Sequence, residues 1–161
     1  MKKRGQIQIS FGMIFSIIII IATVAVAFYV ITYFLDLSKC QKNGLFWDSF
    51  QKEIDKAWNS DITEEVYKAE VTSGITEACF GNFTQIAEIG DRVVFEELRR
   101  YERTGRNAYL YPVGKACESL GYHDLQHIIT DQFFCVPVKS GKIEIKLSKT
   151  STDAFVKLSK P

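Results

Sequence analysis

The chain has 161 residues, with 20 Lys plus Arg against 19 Asp plus Glu, and 47% of it is hydrophobic. Charge so nearly balanced supplies no broad basic surface for a phosphate backbone, and an apolar fraction of this size is wrong for a disordered chain. Both points argue against a nucleic-acid binder and a disordered linker, and the length suits one modest domain.

The average conceals two unlike parts. From Gln6 to Leu35 there is no Asp, Glu, Lys, Arg or His, and Ile17 to Ile21 is an unbroken run of isoleucine. About 20 apolar residues span the hydrocarbon core of a bilayer, so residues 6–35 are predicted to form a transmembrane helix and the lipid bilayer is its expected partner. Lys2, Lys3 and Arg4 sit directly before it, which places the N-terminus in the cytoplasm and the rest of the chain outside. Ala25-Val26-Ala27 resembles a signal-peptidase site, but the apolar run continues past it to Leu35 and leaves no polar extended segment for cleavage. Within the helix, Gly12, Ala22, Ala25 and Ala27 are small residues that would permit close helix–helix approach.

Residues 36–60 read as an amphipathic stem or juxtamembrane helix. Phe46, Phe50, Ile54 and Trp58 recur every four residues while Asp48, Lys52, Glu53 and Lys56 occupy other faces. Two readings stay open here: one helix running on from the apolar segment, or a break around Ser38 to Gly44 followed by a separate juxtamembrane helix, since Asn43 and Gly44 are helix-stop residues.

Residues 61–161 are predicted to form a small head. Val66 to Val71, Gly74 to Phe80 and Asn107 to Val113 read as strands, the last as an edge strand because of Pro112. Asp91 to Arg103 reads as a helix with Val94, Leu98 and Tyr101 on one face. Phe133 to Val138 and Lys142 to Leu147 flank Lys139-Ser140-Gly141 as a hairpin, and Ala154 to Leu158 adds a last antiparallel strand. The expected fold class is therefore α+β: a long N-terminal transmembrane and stem α-helix, then a small antiparallel-sheet head with one or two helices.

All four cysteines follow the apolar segment, and none lies in a C-x-x-C pair of the kind that holds zinc. Two disulfides are expected, which fits an oxidising, extracytoplasmic location. Cys79 and Cys135 each sit in an apolar strand and can be sheet neighbours, leaving Cys40 to meet Cys117. Asn82-Phe83-Thr84 is a glycosylation sequon, with Asn82 the candidate acceptor.

Catalytic chemistry finds little footing. His123 and His127, with Asp124 and Asp131 nearby, would share a face on a helix, but on a strand they stand about 13 Å apart at 3.3 Å per residue. The adjacent pairs Glu64-Glu65 and Glu96-Glu97 read as solvated faces. There is no nucleophile elbow, no H-E-x-x-H and no phosphate loop. The expectation is a protein without catalytic residues, cofactor or metal; an anchored enzyme would require a cleft joining one of the histidines to carboxylates.

Lys2-Lys3-Arg4-Gly5-Gln6, flush against a long apolar helix, resembles the class III signal sequence of archaeal type IV pilins and pilin-like surface proteins. The resemblance covers about the first 35 residues. It implies a basic leader at 1–5, a prepilin-type peptidase as partner cutting after Gly5, Gln6 as the mature N-terminus, and helix packing between copies of the chain in a filament. The series Gln6-Ile7-Gln8-Ile9-Ser10 departs from the family by carrying Ser10 where pilins often have a helper Glu. The run from Gln6 to Ser16 also looks like the N-terminus of surface proteins of unknown function from small-genome archaea. The main rival reading is an uncleaved signal-anchored binding module whose head contacts an envelope partner or host surface.

Overall fold

A computed structural model describes residues 11–161. These fall into two compact units that meet between Leu37 and Ser38. Helix α1, Phe11–Trp58, is unbroken and contributes to both.

In the first unit every described residue of α1 is exposed. Ile17 to Ile21 keep 46–64% of their surface, and this stretch is long and apolar enough to cross a membrane, with none of it buried inside the molecule. The few polar side chains turn inward on the helix backbone. Ser16 Oγ donates to Gly12 O at 2.8 Å, Thr23 Oγ1 to Ile20 O at 2.9 Å, and Thr32 Oγ1 to Tyr29 O at 2.9 Å. A hydrocarbon solvent demands such closure, because it offers no hydrogen bonds of its own.

The second unit is built around residues 38–58 of α1 and two four-stranded sheets. Strands β1 (Thr63–Glu70), β7 (Lys142–Lys149), β8 (Val156–Ser159) and β5 (Ile128–Ile129) form one sheet in the order β1-β7-β8-β5. Strands β4 (Tyr122–His123), β3 (Ala108–Tyr111), β2 (Glu77–Phe80) and β6 (Phe134–Pro137) form the other in the order β4-β3-β2-β6. Helix α2, Arg92–Leu98, continues as a 3₁₀ turn through Thr104. The α+β class holds, with one amendment: β5 pairs with β8 in parallel, so the first sheet is mixed.

The second sheet is buried on both faces, which is why its strands read as continuous apolar runs. Ala78, Phe80, Ala108, Leu110, Phe134 and Val136 point into a core with Phe46, Trp47, Phe50 and Ile54 of α1 and with Ile143, Ile145 and Leu147 of β7. Their neighbours Cys79, Tyr109 and Cys135 point the other way, into a second cluster with Phe83, Phe95, Leu98 and Phe133. The first sheet shows instead the alternation of a half-buried layer, with β1 exposing every second residue.

Several expectations are corrected. Asn43-Gly44 does not end the helix. Asn43 is fully buried, and its Oδ1 accepts from the Thr72 amide at 3.4 Å, so the residue joins the helix to the turn after β1. Trp58 is 37% exposed while Ala57 is buried, because a strict four-residue spacing drifts by about 40° per step around a helix and has turned off the core after three steps. Strand β3 lies inside its sheet, with Pro112 just past its end. Ser140 and Gly141 take positive φ of 52° and 74°, the signature of a tight I′ turn, yet β6 and β7 diverge beyond the Lys139–Lys142 bridge into different sheets.

Candidate functional site

Residues Lys2, Lys3, Arg4, Gly5 and Gln6, which carry the expected topology signal and processing junction, lie outside the described residues. Gly12, Ala22, Ala25 and Ala27 are all exposed on α1. At about 100° per residue they spread over about 200° of its circumference. They therefore form no single seam for one neighbouring helix.

The cysteines form two bridges, Cys40–Cys117 and Cys79–Cys135, and none is free. These are the pairs the strand reading suggested. Cys79 and Cys135 stand directly opposite one another on β2 and β6, with their Cα atoms 3.9 Å apart. Cys40 lies on α1 and Cys117 in the irregular segment after β3, closing a sequence separation of 77 residues. A loop of that size restricts the unfolded chain by about 4.5 kcal/mol in the chain-entropy account.

A polar cluster surrounds the Cys79–Cys135 bridge. The Cys135 amide donates to Asp91 Oδ2 at 2.7 Å, and Lys160 Nζ reaches the same oxygen at 3.1 Å and Glu88 Oε2 at 2.6 Å. Burial opposes the Lys160 charge, but the hydrogen bonds to Glu88 and Asp91 outweigh it and hold its pKa above the ordinary value. A Glu77 carboxylate oxygen lies within 4.8 Å of both sulfurs. Sulfurs joined to each other are not thiolate ligands, so this constellation is no metal centre. Burial, reinforced by the nearby Asp91 carboxylate, raises the pKa of Glu77, and its Oε2 is buried without a partner. Tyr109, on the same face of the sheet as Cys79, has its phenol pushed up to about 12, chiefly by burial.

The two histidines are held apart by the helix between them. His123 stacks on Trp47, with ring centroids 5.4 Å apart and 13° between planes, and Trp47 Nε1 donates to Leu120 O at 2.8 Å. His127 stacks on Trp58 at 3.8 Å and 3°, and Trp58 Nε1 donates to Ala154 O at 3.0 Å. Eleven residues of helix separate the tryptophans, about 16 Å at 1.5 Å per residue, so the imidazoles cannot share a ligand. Asp55 Oδ1 lies 3.2 Å from His127 Nδ1, while Asp124 Oδ2 accepts from Gln126 Nε2. Burial, then the Arg106 charge, lowers the pKa of His123. Each histidine thus serves as a flat polar lid on a tryptophan that the helix presents to the loops. The sequence singled out the histidines but not their tryptophan partners, which are 76 and 69 positions away and leave no local signal.

Asn82 and Thr84 of the sequon are exposed, in the turn after β2, and the Asn82 amide donates to Gln85 Oε1 at 2.9 Å. The side chain is open to modification. Gly81 before it is tightly determined: it has φ of +125°, and a Cβ there would stand 2.6 Å from Gln85 Oε1 and 2.9 Å from Phe133 Cα.

The arrangement thus combines an exposed apolar helix, of membrane-spanning length, with a doubly bridged head in which both histidines and the Asp91–Lys160–Glu88 cluster are engaged in its own architecture. Compared with protein-family models, curated proteins and solved structures, the chain shows no match.

Proposed function

We propose that the chain is a non-catalytic, single-pass surface protein of pilin-like organisation, a structural subunit or pseudopilin of an archaeal type IV pilus-like filament. The observation that carries this reading is the single helix Phe11–Trp58. It is apolar through Leu35 and exposed through Leu37, then buries Phe46, Trp47, Phe50, Ile54 and Ala57 in the head core. One element supplies both an anchor that lipid or helix–helix contact must cover and the central strut of an extracytoplasmic head. The bridged cysteines support an oxidising location. The basic-Gly5-Gln6 junction supports trimming by a prepilin-type peptidase at the cytoplasmic face.

A second reading, an uncleaved anchored module whose head contacts an envelope partner, is favoured by Ser10, which has no negative charge to form the ion pair that the pilin Glu makes with a neighbour's terminal amine. Mass analysis of the native N-terminus separates the two. Gln6 as first residue, with Gly5→Val retaining the leader, supports the pilin route, and an intact Met1 overturns it.

A further inference from the structure

Strand β1 presents a second interaction surface, independent of the apolar helix. It is the terminal strand of its sheet and one of the two longest, at eight residues. One side is matched residue by residue to β7, from Thr63 opposite Lys149 to Glu70 opposite Lys142. The Val71 amide donates to Gly141 O at 2.9 Å. Backbone groups alternate sides along an antiparallel strand, so the odd-numbered residues bond to β7. The N–H and C=O groups of Glu64, Val66, Lys68 and Glu70 therefore face away from it, where no strand lies among the described residues. The side chains of these four are exposed too, including Val66 at 43%.

Charged residues on an edge ordinarily prevent strand addition. Here their order makes the edge complementary to itself. Laying two copies of β1 antiparallel about a two-fold axis at Val66 sets Glu64 opposite the partner's Lys68, Lys68 opposite the partner's Glu64, and Val66 against the partner's Val66. Shifting the axis to Tyr67 sets Glu64 against the partner's Glu70, two like charges, and shifting it to Glu65 loses the opposite-charge pairs. Opposite charges directly across a ladder favour pairing and like charges oppose it, so one register is selected. Within each copy Glu64 already meets Lys146, and Lys68 meets Glu144, both at 2.7 Å, so both side chains lie along the exposed face of the sheet.

We propose that the head pairs with a second copy of this chain through β1, antiparallel and centred on Val66. The two four-stranded sheets then join into one, through about six new main-chain hydrogen bonds. Such an isologous contact closes at two copies, and differs from the heterologous contacts that extend a filament.

The test uses the full chain in detergent, with its mass followed by light scattering across concentration. The wild type is expected to dimerise. Glu64→Lys and Lys68→Glu each place like charges across the two-fold axis and are expected to weaken the dimer about tenfold. The double variant Glu64→Lys with Lys68→Glu restores it, although both ion pairs within each copy, to Lys146 and Glu144, stay reversed. Val66→Cys, the one free thiol in a chain whose four native cysteines are bridged, is expected to cross-link to itself on mild oxidation. A monomer at every concentration overturns the proposal. So does association that ignores Glu64→Lys, which would assign it to the apolar helix, and so does failure of the double variant to restore pairing.

Discussion

The two halves of α1 bury themselves by opposite means. Residues 11–35 are apolar on all sides, and among the described residues none of them is buried. Residues 38–58 are mostly polar, yet five apolar side chains on one face are 0–2% exposed. Apolar content alone therefore does not say where a helix is buried; its distribution around the axis does. An all-round apolar cylinder requires an apolar solvent or copies of itself, whereas a single stripe requires only a head. The difference also divides the forces. The first half is held by its own backbone and its surroundings, and the second by packing and by one covalent bridge, Cys40–Cys117.

The sharpest way to separate the halves is to cut a bridge. Cys79→Ser is expected to cost the head about 4 kcal/mol, as the loop-closure account gives for a bridge of this span. Cys135→Ser should match it, and the double variant should cost little more than either, because both residues belong to one bond. Thermal melts followed by near-ultraviolet dichroism check this, with far-ultraviolet helicity from the apolar half retained. Cys40→Ser and Cys117→Ser form a second matched pair, loosening the start of the head's helix.

Next in size is a matched truncation on the same helix. Phe50 is fully buried and touches the rings of Phe46, Tyr67 and Phe80, so Phe50→Ala is expected to destabilise the head by about 3–4 kcal/mol. Ile19→Ala, on a side chain 46% exposed, should leave head melting unchanged. Denaturant titration of both variants reads the contrast directly.

A smaller effect runs the other way. Gly44 sits in the interior of α1, and a Cβ there would meet nothing within 4 Å. Gly44→Ala is therefore expected to stabilise the head by about 1 kcal/mol, raising its melting temperature. A loss of stability would mean that the helix bends or breaks at the Asn43-Gly44 step.

The smallest effect is the dependence on pH. The folded pKa of His123 lies below its ordinary value of 6.5, because burial and the Arg106 charge disfavour the imidazolium. The unfolded chain therefore binds more protons between the two values, and stability is lost as pH falls below about 6.5. His123→Phe, which keeps the stack on Trp47 without the titration, should reduce the drop in melting temperature between pH 7.5 and pH 5.

What the sequence discloses follows the same division. The apolar helix is legible because a membrane span is a local property of composition. Strands β2, β3 and β6 are legible as short apolar runs, and the placing of Cys79 and Cys135 in two of them foreshadowed their bridge. The allocation of β6 and β7 to different sheets was hidden, because a tight turn at Ser140-Gly141 fixes only the local reversal and not the partner of each strand. Two-residue strands such as β4 and β5 leave no periodicity to read. The burial of Ala57 in place of Trp58 follows from helix geometry that a fixed four-residue spacing overlooks. The histidine lids on Trp47 and Trp58 come from contacts between residues far apart in the chain.

Hydrogen exchange of the full chain in lipid nanodiscs, before and after reduction, tests the central division most directly. Amides of residues 11–37 are expected to stay protected in both states, because the bilayer forces their hydrogen bonds to close within the helix, while reduction releases protection across residues 38–161. Rapid exchange through the isoleucine run in intact nanodiscs, or a head whose protection survives complete reduction, would contradict it.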